Sequence, residues 1–521
     1  KTGSLNYLGE TLLGNKGSLT RKLLRFLPPV AGVSAFFNNT PIVAMLIPVI
    51  RHWAKKHNVS VSKFLIPLSY ATILGGTCTL IGTSTNLVVH GLMLQNGLPG
   101  FSFFEISKVG ISITIFGLAA LALLGHRLLP ERKEPIIEMG EQTREFVVTL
   151  KVEPNYQYVE KSVEQAGLRH LKGLFLFQIE RNGQLINPVS PDQEIKAHDR
   201  LFFTGLPETI VDLQKTPGLS LLKDTFFDIK NLDSDTVTTF EVVISSNSPL
   251  IGKNVRESNF RSRYNAVIMA IHRSGERIKQ KIGDIVLHAG DTLLILAKHD
   301  FMKQWYHTSD FYLVSRSVDV TSKPRWYSFF SMGVLTAMIV LMATNILPVV
   351  VAVCLAALIL VFSRCITATE ARNSIDWKVL LIIASAFGIA KGLDNSGVAH
   401  YLANLIILSL GNFGILGLLT AIYVMTNLYT EIITNNAAAA IVVPIALAVA
   451  KQTPLIINER ALLITVAVAA SASFATPIGY QTNLMVYGPG GYKFRDFIKI
   501  GIPMNIFIGM VAITAIWFFY L

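Results

Sequence analysis

Two polar clusters sit at matching places inside apolar stretches of this 521-residue chain. Asn38-Asn39-Thr40, preceded by Ser34 and followed by Pro48, matches Thr434-Asn435-Asn436, preceded by Thr430 and Glu431 and followed by Pro444, at an offset of 396 (435 minus 39). A second pair, Thr79-Leu80-Ile81-Gly82-Thr83-Ser84-Thr85-Asn86-Leu87 and Thr476-Pro477-Ile478-Gly479-Tyr480-Gln481-Thr482-Asn483-Leu484, agrees at six of nine positions at an offset of 397 (479 minus 82). Hydroxyl, amide and carbonyl oxygens of this kind ligate sodium, and hydroxyl and amide protons hold an anion. Neither Lys nor Arg lies in these motifs. An anion held there is bound by neutral donors and helix ends, with co-bound cations supplying the positive charge.

The elements that carry these residues are membrane helices. With 51% hydrophobic and 15% charged residues, and a mean hydropathy of +0.47, the chain is too apolar to be wholly soluble. The net charge of +12 then reflects basic loops rather than a nucleic-acid partner. Residues 24–50, 64–94 and 106–129 are apolar, 130–325 are soluble-like, and 326–521 are apolar again. Val109–Leu129, Phe329–Leu347, Val349–Phe362, Val379–Leu393, Ala461–Val486 and Ile500–Leu521 are of bilayer-crossing length or near it. Cys78, Cys354 and Cys365 have neither disulfide-framework nor zinc spacing.

Polar groups at membrane depth are costly unless they bind something or line a cavity. The runs 23–37 and 41–50 flanking Asn38-Asn39-Thr40 are each too short to span, which predicts a re-entrant hairpin with the amides at its tip. Residues 413–450 repeat that pattern around Thr434-Asn435-Asn436. Gly82-Thr83 and Pro477-Ile478-Gly479 predict breaks that free backbone N–H and C=O groups. Ser, Thr and Asn also bond helices to one another, but two duplicated motifs, each paired with a break, favour binding. If each unit crosses an odd number of times, the halves are inverted. The second half has three apolar segments before its Asn pair, so three crossings, on the order of 70 residues, are expected ahead of residue 1, which is Lys rather than Met.

Arg51, Lys55, Lys56 and Lys63, then Arg127, Arg132 and Lys133, place the 51–63 loop and the central insert on the cytoplasmic side of an inner or plasma membrane. Arg364, Arg372, Lys378, Lys493, Arg495 and Lys499 fit the same side. The insert is itself duplicated. Ile179-Glu180-Arg181-Asn182-Gly183 matches Ile271-His272-Arg273-Ser274-Gly275, and Ala197-His198-Asp199 matches Ala289-Gly290-Asp291, both at an offset of 92 (273 minus 181). Each unit is expected as strand, short helix, strand, Arg-x-Gly turn and a late strand opened by the Asp.

Over residues 145–220 and 238–315 the insert resembles the TrkA-C domains of regulators of potassium conductance, without the Gly-x-Gly-x-x-Gly turn of that family's nucleotide-binding half. Such domains sense a small regulatory ligand or join subunits, and both roles stay open. The membrane parts, 1–129 and 326–521, resemble the divalent-anion/sodium symporters of the ion transporter superfamily. Asn38-Asn39-Thr40 and Thr434-Asn435-Asn436 resemble that family's two Ser-Asn-Thr signatures, and the paired nine-residue motifs resemble its unwound helices.

The resemblance implies a polytopic helical membrane protein with inverted repeats and two re-entrant hairpins. Such a protein is an elevator-type homodimer importing sulfate, or di- and tricarboxylates, with Na+, and has no organic cofactor and no enzymatic activity. Carried over, Asn39, Thr40, Thr83, Asn435, Asn436 and Pro477 contact substrate. Ser34, Asn38, Asn39 and Gly82 form one sodium site, and Thr430, Thr434, Asn435 and Ala475 the other. Asn38 departs from the usual Ser and Asn436 from the usual Thr, and the latter bears on substrate identity. Tandem TrkA-C modules resemble the family's inorganic-sulfate branch.

Glu431 is the acid within the hairpins, and it either carries a coupled proton, tunes the second sodium site or braces its hairpin. Cys78 is expected as packing. A sodium/proton or arsenite antiporter is the alternative class, with Glu431 its thin support. A potassium channel lacks its carbonyl-ladder filter here, and an anion sensor on the same scaffold would bind sulfate without moving it.

Overall fold

The computed structural model describes residues 12–132, 147–222, 237–313 and 325–521 apart from short internal stretches. Residues 1–11, 145, 146, 314 and 315, with Ser274 and Gly275, lie outside the described residues.

Helix α1 (Leu19–Ser34) starts on Ser18, whose hydroxyl accepts from Arg21 N. Helix α2 (Asn39–His57) starts on Asn38, whose side chain accepts from Thr40 N at 3.3 Å. Both use a short polar side chain to satisfy first-turn N–H groups. α2 outruns the apolar stretch 41–50 and ends on Lys55, Lys56 and His57 before a left-handed Asn58, because cations suit the negative end of a helix dipole.

Helix α3 (Ser62–Gly76) stops before Gly82-Thr83, and α4 (Ser84–Gln95) begins after it. Fifteen residues of α3 reach only about 22 Å, short of a bilayer core of about 30 Å. The chain then runs through α5 (Ser107–Leu128) into the insert.

After the insert come α8 (Arg325–Ala343), α9 (Val349–Phe362), α10 (Ala368–Asn373), α11 (Trp377–Asn395) and α12 (Val398–Leu410). Then α13 (Gly414–Ile432) and α14 (Asn435–Gln452) meet at Thr434, whose hydroxyl accepts from Ala437 N. α15 (Glu459–Ser471) and α16 (Gln481–Tyr487) are separated by residues 472–480, which include Pro477-Ile478-Gly479, and α17 (Phe494–Tyr520) ends the chain. Both expected breaks are thus present.

Among the described residues four stretches are long and apolar enough to cross a membrane: Ser107–Gly125, Val398–Ile432, Asn435–Gln452 and Phe494–Tyr520. Large apolar side chains such as Phe329, Phe362, Leu408 and Phe518 face outward, whereas α3 and α15 are buried almost all round. A helix apolar all round belongs inside a helical bundle. The halves interlock: α16 packs on α2 and α3, while α4 packs on α14 and α15.

The insert folds as two five-stranded antiparallel sheets. The first comprises β1 (Val147–Val152), β2 (Leu174–Arg181), β3 (Gln184–Ile186), β4 (Arg200–Gly205) and β5 (Leu219–Leu221), in the order β3-β2-β4-β1-β5. The second comprises β6 (Val237–Ile244), β7 (Ala266–Arg273), β8 (Glu276–Arg277), β9 (Thr292–Lys298) and β10 (Phe311–Leu313), in the order β10-β6-β9-β7-β8. Read from opposite edges these are one topology, and each has a bulge at the same place, Leu176/Gln178 and Ile268/Ala270.

Asn182 and Gly183, at φ +48° and +78°, close the β2–β3 hairpin, as an Asn-Gly pair does in a two-residue turn. The short helix expected after the first strand is α6 (Phe260–Tyr264) in the second unit. The corresponding stretch of the first unit lies largely outside the described residues. Helix α7 (Phe301–Trp305) follows β9.

The repeated Arg and Asp are structural. Arg181 Nη2 lies 2.7 Å from Asp199 Oδ2, and Arg273 Nη2 2.7 Å from Asp291 Oδ2. The guanidiniums also donate to Glu194 O and Val286 O, and the Asp residues accept from Lys196 N and His288 N. Both guanidiniums are held above their ordinary pKa, chiefly by the hydrogen bonds they donate to the facing Asp.

The sheets meet face to face through Phe177, Phe202, Val267, Met269, Leu294 and Leu296. The second sheet also rests on the helical core. Val243 is buried within that core, Arg51 Nη1 meets Glu241 Oε2 at 2.7 Å, and a Cβ on Gly290 (φ +84°) would lie 2.6 Å from Leu484 Cδ1 on α16.

Candidate functional site

The two helix junctions and the two breaks converge. Ser34 Oγ, on the last residue of α1, lies 2.6 Å from Asn39 Oδ1 and 2.9 Å from Thr72 O on α3. In the other half Thr430 Oγ1 lies 3.0 Å from Asn435 Oδ1 and 2.7 Å from Ala470 O on α15. One hydroxyl proton therefore faces two acceptor oxygens in each place.

The breaks are held by matching bonds as well. Asn86 Nδ2 donates to Thr79 O at 2.9 Å, and Asn483 Nδ2 to Thr476 O at 3.1 Å. Thr79 Oγ1 donates to Ala35 O, and Thr476 Oγ1 to Glu431 O. Gly82 is needed for close approach, because a Cβ there would run into Gly76 O and Ala35 O. A Cβ on Gly76 would in turn lie 2.9 Å from Asn39 Oδ1.

Contacts across the halves join these pieces into one cluster. Thr40 Oγ1 donates to Gln481 Oε1 at 3.0 Å, and Ser84 Oγ to Asn436 Oδ1 at 3.2 Å. Thr85 Oγ1 lies 3.5 Å from that same Asn436 oxygen. Asn39 Nδ2 donates to the Tyr480 hydroxyl at 2.6 Å, and the same hydroxyl lies 3.3 Å from Thr83 Oγ1. Ser69 Oγ on α3 lies 2.8 Å from Thr482 Oγ1 and 2.7 Å from Asn483 Oδ1, tying the first half to α16. No Lys or Arg takes part in these bonds among the described residues.

The expected residues fall into three groups. Ser34 bonds Asn39, which reaches Thr83 through Tyr480, Thr430 bonds Asn435, and Thr40 and Asn436 each bond across to the other half, on Gln481 and Ser84. Gly82, Ala475 and Pro477 lie in the breaks, where Ala475 N is bound by Glu431. Asn38 and Thr434 are exposed helix caps, and their side chains are used on Thr40 N and Ala437 N.

Glu431 is 8% exposed and holds the second break. Its Oε1 accepts from Phe474 N, Ala475 N and Asn505 Nδ2, and its Oε2 from Thr476 N, each at 2.8 Å. The Cys78 thiol, expected as packing, is hydrogen-bonded to Thr114 Oγ1 on α5 at 3.3 Å. Tyr480, Gln481, Ser84 and Asn505 are members that motif reading passed over. The first three stand at or beside the positions where the two nine-residue motifs differ, so the signal was the mismatch rather than the match.

Comparison with known proteins identifies the family. The citrate transporter family model matches residues 1–460, across the insert as well as the helices. A Chlamydomonas reinhardtii protein that carries the provisional name of a sulfur deprivation response regulator is 36% identical over 98% of this chain and 89% of its own length. An uncharacterized transporter of Synechocystis is 33% identical over 100% of this chain and 86% of its own. Sodium/sulfate cotransporter 1 of Chlamydomonas reinhardtii is 27% identical over 98% and 81%. With a polar cluster between broken helices and a family match over most of its length, the chain belongs to the citrate transporter family of membrane transport proteins.

Proposed function

We propose that the protein is a sodium-coupled importer of a divalent oxyanion, sulfate first and di- or tricarboxylates next. The observation that carries this reading is the proton shortage at Ser34 and Thr430. Each hydroxyl serves only one of two facing acceptors, so oxygen lone pairs are left over, the chemistry that a hard cation such as sodium satisfies. Ser34, Asn39 and Gly82, with the Asn38 backbone, would hold one sodium. Thr430, Asn435 and Ala475, with the Thr434 backbone, would hold the other. The anion lies between them, on Thr40, Thr83, Asn436, the Asn39 and Asn435 amides and the Pro477 break. Relatives named sodium/sulfate cotransporters support both ions.

On this reading the halves are inverted repeats, α1–α2 and α13–α14 are re-entrant hairpins, and the protein works as an elevator-type homodimer. The insert is a pair of cytoplasmic TrkA-C modules that take a small regulatory ligand or join subunits. Labelled sulfate uptake into proteoliposomes, with and without an inward sodium gradient, tests the reading. Equal uptake in both arms removes the coupling, and no uptake removes sulfate.

A second reading has one observation in its favour, the relative named for a sulfur deprivation response. A sensor would gain thermal stability from sulfate and sodium in detergent yet move neither.

A further inference from the structure

Tyr480 sets an aromatic ring against the small hydroxyl of its counterpart, Thr83 (480 minus 83 is 397, the offset of the motif). The ring crosses between the halves, so a second-half residue stands between the first-half junction and the first-half break. Its oxygen accepts from Asn39 Nδ2 at 2.6 Å and lies 3.3 Å from Thr83 Oγ1. A phenol carries one proton and two lone pairs. Asn39 takes a lone pair, so the proton is left for Thr83 Oγ1 or for a third acceptor. The Thr83 contact is long for an O–H···O bond, whose usual separation is about 2.7–2.8 Å. A donor polarised by one amide and weakly used by its neighbour is well suited to a negatively charged oxygen.

We propose that Tyr480 is the anion-selecting residue of this site. Its hydroxyl donates to one oxygen of the bound oxyanion while Asn39 holds the phenol in position, and its ring restricts the space to a compact tetrahedral oxyanion. The assignment rests on the reading of the cluster as an anion site. It adds a donor to a site without basic residues, and it explains how the halves, alike in their hydrogen bonds, form an asymmetric space. The two counterparts differ in size, a small hydroxyl at Thr83 and a ring at Tyr480.

The test uses the full chain in proteoliposomes with a sodium gradient, comparing wild type, Tyr480→Phe and Tyr480→Thr. Labelled sulfate uptake is measured alone and against unlabelled succinate and citrate. Tyr480→Phe keeps the ring and loses the proton, so the KM for sulfate rises about tenfold or more while the carboxylates stay poor competitors. Tyr480→Thr restores the residue of the other half, so citrate competition strengthens at least about fivefold, a modest pocket-size effect. The sodium concentration for half-maximal rate stays near wild type in both, a split that general loosening of the fold would not give.

Sulfate-induced thermal stabilisation in detergent is read in parallel for each variant, so a variant with slow turnover still reports binding. Wild-type sulfate KM in Tyr480→Phe overturns the donor role, and an unchanged competition profile in Tyr480→Thr overturns the size role. Wild-type protein that neither transports nor is stabilised by sulfate or the carboxylates removes the anion-site reading and this assignment with it. Transport by wild type with both variants unchanged removes the assignment alone.

Discussion

Glu431 and Thr476 form a closed ring: Thr476 N donates to Glu431 Oε2 at 2.8 Å, and Thr476 Oγ1 donates to Glu431 O at 2.9 Å. With Phe474 N, Ala475 N and Asn505 Nδ2 on the other carboxylate oxygen, one side chain serves four N–H donors of the break and α17. Glu431→Gln places an NH2 group against at least one of these donors. A buried polar group left without its partner costs about 1–3 kcal/mol, so thermal unfolding in detergent shifts down by several degrees and uptake falls. A carrier of the coupled proton would behave differently, losing pH-dependent flux at unchanged stability. Melting curves and uptake at two pH values separate the outcomes.

Ser34→Ala and Thr430→Val each remove one hydroxyl that faces two acceptors. The sodium concentration for half-maximal sulfate uptake is expected to rise about fivefold or more in each, equivalent to roughly 1 kcal/mol. The sulfate KM at saturating sodium changes much less. A sodium titration of uptake at fixed sulfate checks this, and an unchanged sodium requirement in both variants would remove the two-site assignment.

The Arg51–Glu241 pair joins the second sheet to α2, the helix that begins at Asn39, and the Glu241 side chain is fully buried. Arg51→Ala leaves a buried carboxylate unpaired, which disfavours the docked arrangement strongly. The expected result is faster amide exchange in β6 and in the 288–291 loop that faces α16, with β7 less affected. Adding Glu241→Gln restores much of the protection. Exchange mass spectrometry on the three proteins reads this directly.

Arg273→Ala breaks the ion pair with buried Asp291 and the bond to Val286 O. The Arg side chain is about one-third exposed, so the loss is roughly 2 kcal/mol rather than that of a fully buried pair. The folded-state pKa of Arg273 is raised, so its contribution is complete below the unfolded value and fades only at pH above it, far into the alkaline range. Thermal destabilisation is therefore expected to be equal at pH 6 and pH 9. Arg181→Ala behaves alike, through Asp199.

Much of the local architecture was legible in the residues. The breaks at Gly82-Thr83 and Pro477-Ile478-Gly479 follow from backbone preferences of Gly and Pro. The helix starts at Asn38 and Thr434, read in the sequence as sodium ligands, emerged only in the structure, where their side chains cap N–H groups two or three residues ahead. The doubled Arg and Asp of the insert, 18 residues apart in each unit, announced a repeated feature and turned out to be a repeated ion pair.

What the sequence determined by itself is therefore what acts over a few residues: apolar runs, breaks, and the fact that each occurs twice. Tertiary structure alone decided that Tyr480 reaches Asn39 and Gln481 reaches Thr40, each pair 441 residues apart. It also decided that Glu431 faces a row of backbone donors 43–45 residues on, and that the second sheet sits on Arg51. Propensity falls off within a turn or two of chain, whereas a hydrogen-bond partner is chosen by which surfaces pack. The positions where the repeat fails, such as Thr83 against Tyr480, acquire their meaning only once the two halves are brought together.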